Sequence, residues 1–332
     1  MIGKRLRSAV FALALSTGFV TAAHAEDLKE LNFGIISTES SQNLKTIWQP
    51  FLADMTKKLG IKVNAFFAPD YAGVIEGMRF GKVDVAWYGN KAAMEAVDRA
   101  NGEVFVQTVA ADGSPGYWSL LLAHKDNAQL NSVDDVIKQG KDLNFSNGDP
   151  NSTSGYLVPG YYVFGVNKID PKTYFKHTVS GNHESNALAV ANKQVDFATC
   201  NNEVMAKLAI NFPEKYKELK IIWKSPLIPS DPIVWRKDLT DGDKAKIKGF
   251  FLNYGVKGPD VAAEKKVLVG LQWSPFKESS NDQLVPIRIL SLYKTRLGIE
   301  ADTTLANADK KQKLAEIDTQ LDDLKKKQPV TN

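Results

Sequence analysis

The chain has 332 residues, 43% hydrophobic and 24% charged, enough for two globular domains with their own cores, since one domain takes roughly 100 to 200 residues. These proportions exclude a disordered tail, a disulfide miniprotein and a collagen-like rod. The net charge of +4 overstates the basicity: without Lys4, Arg5 and Arg7 of the leader, 39 Lys and Arg face 38 Asp and Glu, a balance that excludes a nucleic-acid binder.

The leader is the first element. A basic start, an apolar stretch from Ala9 to Val20 and the small-x-small run Ala23-His24-Ala25 predict a cleaved signal peptide over 1–25. The apolar stretch falls short of the ~20 residues a membrane span needs, so the expectation is a soluble, exported protein. Cys200 is the single cysteine. No intramolecular disulfide can form, and the fold must rest on core burial.

Next, Leu44, Ile47, Trp48, Phe51, Leu52, Met55 and Leu59 recur at helical spacing and stop at Gly60, while Pro50 predicts a break inside that helix. Strand 61–68, helix 73–80, strand 83–88, helix 91–100 and strand 104–109 follow. This alternation predicts an α/β layer fold with a mostly parallel sheet.

The chain then echoes itself. Leu31-Asn32-Phe33 returns as Leu143-Asn144-Phe145, and Val83-Asp84-Val85-Ala86 as Val195-Asp196-Phe197-Ala198, both 112 residues later. Two echoes at one separation, each in a strand context, predict two similarly built lobes with a ligand cleft between them. The same separation pairs Tyr71 with His183. Each stands ahead of a helix at a strand's carboxyl end, where open α/β sheets bind ligands. Crossovers are expected at 113–119 and 225–232, the second stiffened by Pro226, Pro229 and Pro232.

The run Asn147 to Gly155 leaves a strand (143–146) and opens a helix around 156–164, placing Ser152, Thr153 and Ser154 at a helix start. Free backbone N–H groups and hydroxyls there suit a tetrahedral oxyanion; an ordinary N-cap is the alternative. No Lys or Arg lies between Lys141 and Lys168, and neither Gly-x-x-x-x-Gly-Lys nor Gly-x-Gly-x-x-Gly is present, which argues against nucleotides. Capture by neutral donors suits a carrier better than a catalyst. His124, His177 and His183 make no metal-ligand spacing and Cys200 has no partner, so no metal or cofactor is expected. Taken singly, His183, Glu203 and Asp231 are ordinary residues, a lone histidine and two acids among 38.

Several blocks in order carry a resemblance: Leu31 through Glu39, Phe66-Phe67-Ala68-Pro69-Asp70-Tyr71-Ala72-Gly73, Val85-Ala86-Trp87-Tyr88-Gly89, Ala110 through Trp118, Asn147 through Gly155, Trp223 through Pro229 and Asp231 through Arg236. Over nearly the whole mature chain it resembles the periplasmic phosphonate-binding proteins of ABC importers, in particular the type that takes 2-aminoethylphosphonate. The resemblance implies a type II periplasmic-binding-protein fold, with lobe 1 over 26–115 and 229–300, lobe 2 over 116–228 and a C-terminal helical segment over 301–332. It implies a phosphonate held by Tyr71, Tyr117, Ser152, Thr153, Ser154 and His183, and an ammonium held by Glu203 and Asp231. The segment from Cys200 to Glu203 departs from the family's form, and Glu203 is placed by counting from Val195-Asp196. Two acids overcompensate one ammonium, a filter against ligands without an amine.

Delivery to an inner-membrane ABC permease, with no reaction catalysed, is the implied role. Its rivals are a receptor for phosphate, phosphite or an unsubstituted alkylphosphonate, and an enzyme on the same scaffold with Cys200 or Ser152 as nucleophile and His183 as base. Leu314, Ile317, Leu321 and Leu324 form an apolar stripe within 308–328. It either docks on its own lobe or, as the resemblance suggests, joins a homodimer.

Overall fold

The computed structural model describes residues 28–328; the leader predicted over 1–25 lies outside the described residues. The chain enters as β1 (Glu30–Ile35), α1 (Ser41–Leu59), β2 (Lys62–Phe67), α2 (Tyr71–Arg79), β3 (Val85–Trp87), α3 (Asn90–Arg99) and β4 (Gly102–Ala110). It crosses through β5 (Gly116–Tyr117) into β6 (Ser119–His124), α4 (Val133–Gln139), β7 (Asn144–Gly148), two π-helical stretches (Thr153–Leu157 and Gly160–Gly165), α5 (Pro171–Tyr174), β8 (His177–Gly181), α6 (His183–Ala191), β9 (Phe197–Asn201), α7 (Asn202–Asn211), α8 (Pro213–Tyr216) and β10 (Leu219–Lys224). It returns through β11 (Ile228–Pro229) to β12 (Pro232–Arg236), α9 (Asp241–Asn253), α10 (Val261–Gly270) and β13 (Trp273–Glu278), and ends in α11 (Val285–Ala301) and α12 (Asn307–Lys325).

Two sheets result, ordered β13-β4-β12-β3-β1-β2 and β10-β6-β9-β7-β8. The expectation of mostly parallel sheets needs correcting: only β2-β1-β3 and β8-β7-β9 run parallel, and the other pairings are antiparallel. The main reason lies in the crossovers, because a strand arriving from the other lobe (β6 or β12) enters the sheet against the direction set by its βαβ neighbours; β13, which follows β12 within lobe 1, adds a further antiparallel pair on β4. The crossovers themselves pair as the two-stranded ribbon β5–β11. Gly116 is required there, since a Cβ would come within 1.9 Å of the Ile228 carbonyl oxygen.

The 112-residue repeat is structural. Asp84 accepts the Asn32 N–H at 2.8 Å, and Asp196 accepts the Asn144 N–H at 2.7 Å. N-cap positions correspond too: Ser40 of α1 with Ser152 of the first π-helical stretch, Asp70 of α2 with Asn182 of α6, Gly89 of α3 with Asn201 of α7. Both lobes therefore point helix N-termini at the space between them.

Pro50 does not break α1, which is continuous. Pro50 and Thr46 are exposed, so the carbonyl that loses its partner faces water, while Leu44, Trp48, Phe51, Leu52 and Met55 on the opposite face are buried. Burial of that face outweighs the proline's cost of about 3 kcal/mol. Trp48 also joins the aromatic core of lobe 1, packing on Phe33, Phe51, Trp87 and Trp273. Phe145, Phe164, Phe175 and Phe197 form the counterpart in lobe 2.

Candidate ligand-binding cleft

Between the lobes lies a small cavity, with about 20 Å³ of room for the centre of a water-sized sphere. All eight expected residues line it: Tyr71, Tyr117, Ser152, Thr153, Ser154, His183, Glu203 and Asp231. Its anion-seeking part begins at β7, whose Gly148 leads into the loop ahead of Ser152. A Cβ on Gly148 would lie 2.5 Å from the Gly155 backbone, so only glycine lets the strand end and the helix start approach this closely.

The helix opens at Thr153, earlier than expected, and its first stretch is π-helical, with the Leu157 N–H reaching back to the Ser152 carbonyl at 3.1 Å. The Ser152 hydroxyl accepts the Gly155 N–H at 2.9 Å, as an N-cap does. It also lies 3.4 Å from His183 Nε2, and Ser154 Oγ lies 3.3 Å from the same nitrogen. Thr153 Oγ1 accepts the Lys91 N–H of the opposite lobe at 2.8 Å. The Thr153 side chain also meets the Tyr117 phenol, so its O–H lies within the cage that a ligand would enter.

His183 is the first residue of α6, and Asn186 one turn later pins that helix to the sheet, donating to the carbonyls of Asn147 and Thr199 and accepting from Ser146 Oγ. Burial, with Lys207 adding to it, pushes the imidazole down to about 4. His183 is therefore neutral at physiological pH and can donate one N–H without bringing a charge. Tyr71 and Tyr117 are buried, and burial drives both phenols well up, helped by Asp149 for Tyr71 and by Asp231 for Tyr117. Both stay protonated, as hydrogen-bond donors.

The acidic part of the cavity is built on lobe 1's aromatic core. Trp48 and Trp273 hold the Trp87 indole at centroid distances of 5.4 and 5.7 Å, and its Nε1–H donates to Asp231 Oδ2 at 3.2 Å. The other oxygen, Oδ1, is buried without a partner. Burial, then the charge of Glu203, drives the Asp231 carboxyl well up, opposed by the nearby Tyr117 phenol and by the Trp87 indole. Glu203 is half-buried on α7. Burial pushes it up to about 7, while Lys207 one turn on opposes the shift and Glu39 adds to it.

Three of the buried polar atoms that lack a hydrogen-bond partner, Thr38 Oγ1, His183 Nδ1 and Asp231 Oδ1, belong to residues lining this one cavity. Orphaned polar groups are costly, and their convergence here points to a polar guest. The family model of the ABC transporter phosphonate periplasmic substrate-binding protein matches residues 33–284. The chain belongs to that family.

This phosphonate-family receptor is 63% identical over 312 residues to the phosphonates-binding periplasmic protein of Escherichia coli (strain K12), covering 94% of this chain and 90% of that protein. The binding protein component of an ABC phosphonate transporter from Pseudomonas aeruginosa superposes with a TM-score of 0.87 at 59% identity, covering 90% of this chain and 98% of that one. A phosphate-import protein of Mycolicibacterium smegmatis is 35% identical over 207 residues, 60% of this chain and 63% of that protein. The fold is that of the type II periplasmic binding proteins. The receptor is an ABC-transporter component and not an enzyme.

The geometry agrees with the absence of catalysis. Cys200 is fully buried, its thiol pushed up to about 12 by burial and directed at the His183 carbonyl at 3.6 Å. Ser152 and His183 lack the third member of a triad, because His183 Nδ1 has no partner to orient it.

The sequence reading missed Thr38, Asn201, Lys207 and Trp273 as lining residues. Lys207 alters the charge inventory most. It pairs with the buried Glu39 at 2.5 Å, so the lining carries an ammonium, partnered by Glu39, beside the two expected acids. No spacing rule could announce a pair 168 residues apart. Trp118 stacks under Lys224; Trp87 and Trp273 are the indoles that a ligand would perturb.

Proposed function

We propose that the ligand is an aminoalkylphosphonate, 2-aminoethylphosphonate in particular, and that its phosphonate is held by Ser152, Thr153, Ser154, Tyr71, Tyr117 and His183 and its ammonium by Glu203 and Asp231. The observation that carries this reading is Asp231 Oδ1, a buried carboxylate oxygen without a donor in the same cavity as the hydroxyls. Phosphate and phosphite bring no cation to such a group. That alternative draws on the M. smegmatis relative, a phosphate-import protein, and on a phosphite-binding relative from Prochlorococcus marinus, 26% identical. Calorimetry with 2-aminoethylphosphonate, methylphosphonate, phosphate and phosphite tests the choice: the aminophosphonate should bind tightest, and equal affinity for phosphate would overturn the reading.

The displaced titration of Glu203 yields a pH signature. Its carboxyl, at about 7 in the free protein, must ionise to hold an ammonium, so capture releases protons near neutrality. Below that pH, affinity for the aminophosphonate should rise with pH, with a limiting slope of about tenfold per unit per proton. The second phosphonate proton is shared by both ligands and largely cancels in their ratio. The ratio of the methylphosphonate Kd to the aminophosphonate Kd should therefore grow from pH 6 to 8. Titrations in two buffers of different ionisation enthalpy count the protons, and a flat ratio removes Glu203 from the site.

The same reading has the chain exported by cleavage after Ala25, and the lobes, 26–115 with 229–300 and 116–228, turning about the β5–β11 ribbon. In assembly, Ile317 and Leu321 are buried against Val285 and Ile289 of the chain's own α11, so the stripe is largely spent internally. The proposed homodimer through α12 must use its flank, where Leu314 stays half-exposed. Light scattering on wild type and on Leu314→Asp decides this, and a single-chain mass in the wild type removes the dimer.

A further inference from the structure

Three lobe 1 helices end at the cleft, and each receives an acceptor from lobe 2 at its N-terminus. The Lys91 N–H, in the first turn of α3, donates to Thr153 Oγ1, whereas the N-cap of that helix is Gly89, with no side chain to offer. The Tyr71 N–H, first in α2, donates to Asp149 Oδ2 at 3.1 Å. The third case is α1, which has no acidic residue in its first turn. Glu184 supplies one from the other lobe: its Oε1 accepts the Ser40 N–H at 3.2 Å, its Oε2 accepts from Asn43 Nδ2 at 2.6 Å, and its backbone N–H reaches the Thr38 carbonyl at 3.3 Å.

Glu184 is buried, yet it does not line the ligand cavity. A carboxylate at a helix N-terminus is favoured by the helix dipole and by the unpaired N–H groups, and this one exists only while the lobes are together. We infer that Glu184 is a positioning residue that latches the closed receptor by capping α1 from the opposite lobe, and so sets the affinity for every ligand without reading any of them.

The apparent dissociation constant is the intrinsic one divided by the fraction of molecules in the closed state. A weaker latch raises all dissociation constants by one factor, whereas a residue that reads the amine discriminates; a lost phosphonate contact would also act on every ligand, but Glu184 lines no part of the cavity. The inference rests on phosphonate capture and not on the amine, so methylphosphonate alone can sustain it if the aminophosphonate reading fails.

The test uses Glu184→Ala, Asn43→Ala and the double variant, with Kd measured for 2-aminoethylphosphonate and methylphosphonate and melting temperature measured without ligand. Glu184→Ala should raise both Kd values by a common factor of about tenfold, the scale of one charge-assisted hydrogen bond. Asn43→Ala should raise both by less, and the double variant should bind as Glu184→Ala does, because the two residues share one bond. The ligand-free melting temperature should hold in all three, since the open receptor makes no latch. Unchanged affinities, a loss confined to one ligand, additive losses in the double variant, or a lowered ligand-free melting temperature would each overturn the inference. If the wild type binds both ligands equally, the amine reading falls while the latch is still decided by the methylphosphonate series.

Discussion

Asp231→Asn should raise the Kd for 2-aminoethylphosphonate by about two to four decades and leave methylphosphonate unharmed. The carboxylate is buried, one oxygen is occupied by the Trp87 indole and the other is unpartnered. An ammonium placed there completes an ion pair, and removing one member of a buried pair costs ~3 to 5 kcal/mol. The amide would also turn a donor toward the ammonium. A ligand without the amine loses nothing, because burial already drives the Asp231 carboxyl well up and leaves it uncharged when no cation lies beside it. Glu203→Gln should show the same asymmetry to a smaller degree, because Lys207 already gives the Glu203 carboxyl a positive neighbour. Calorimetry with both ligands on both variants measures this, and equal losses would mean that the acids serve the fold rather than the amine.

The second large effect is expected at Thr153. Its hydroxyl accepts from lobe 1 and, hydrogen-bonded to Tyr117 without ligand, can turn its proton to a phosphonate, so Thr153→Ala removes a charge-assisted donor and a contact between lobes together. Every phosphonate should bind about one to two decades more weakly, following the ~1.5 to 3 kcal/mol of such a bond, with the ratio between ligands unchanged. Ser154→Ala should act in the same direction: its oxygen lies by His183 Nε2 and accepts from Asn201 Nδ2 at 3.3 Å, so its proton is likewise available. Quenching of Trp87 and Trp273, both lining the cavity, offers a direct readout. Wild-type affinity in both variants would reduce the hydroxyl run to a helix cap and place the phosphonate elsewhere.

Sequence alone determined whatever short-range chemistry encodes. Hydrophobic spacing set the alternation of helices and strands, since burying one face of a helix or strand is a local requirement. The 112-residue echo announced two like lobes because each Val-Asp strand needs the same bond, Asp84 to Asn32 and Asp196 to Asn144. The hydroxyl run was legible for a similar reason: strand, turn and helix start are contiguous, so Ser152, Thr153 and Ser154 had to meet at one place. Tertiary structure decided the rest. It kept α1 whole through Pro50, because the buried aromatic face outweighs one lost hydrogen bond on the wet side. It mixed the strand directions, because each lobe receives a strand from the other. It also brought Lys207 to Glu39, Trp87 to Asp231 and Glu184 to the start of α1 across 141 to 168 residues of chain. Such pairs carry no periodicity: Lys207 with Glu39 and Glu184 with α1 are set by how the lobes face each other, and Trp87 with Asp231 by the return of β12 beside β3, not by any spacing along the backbone.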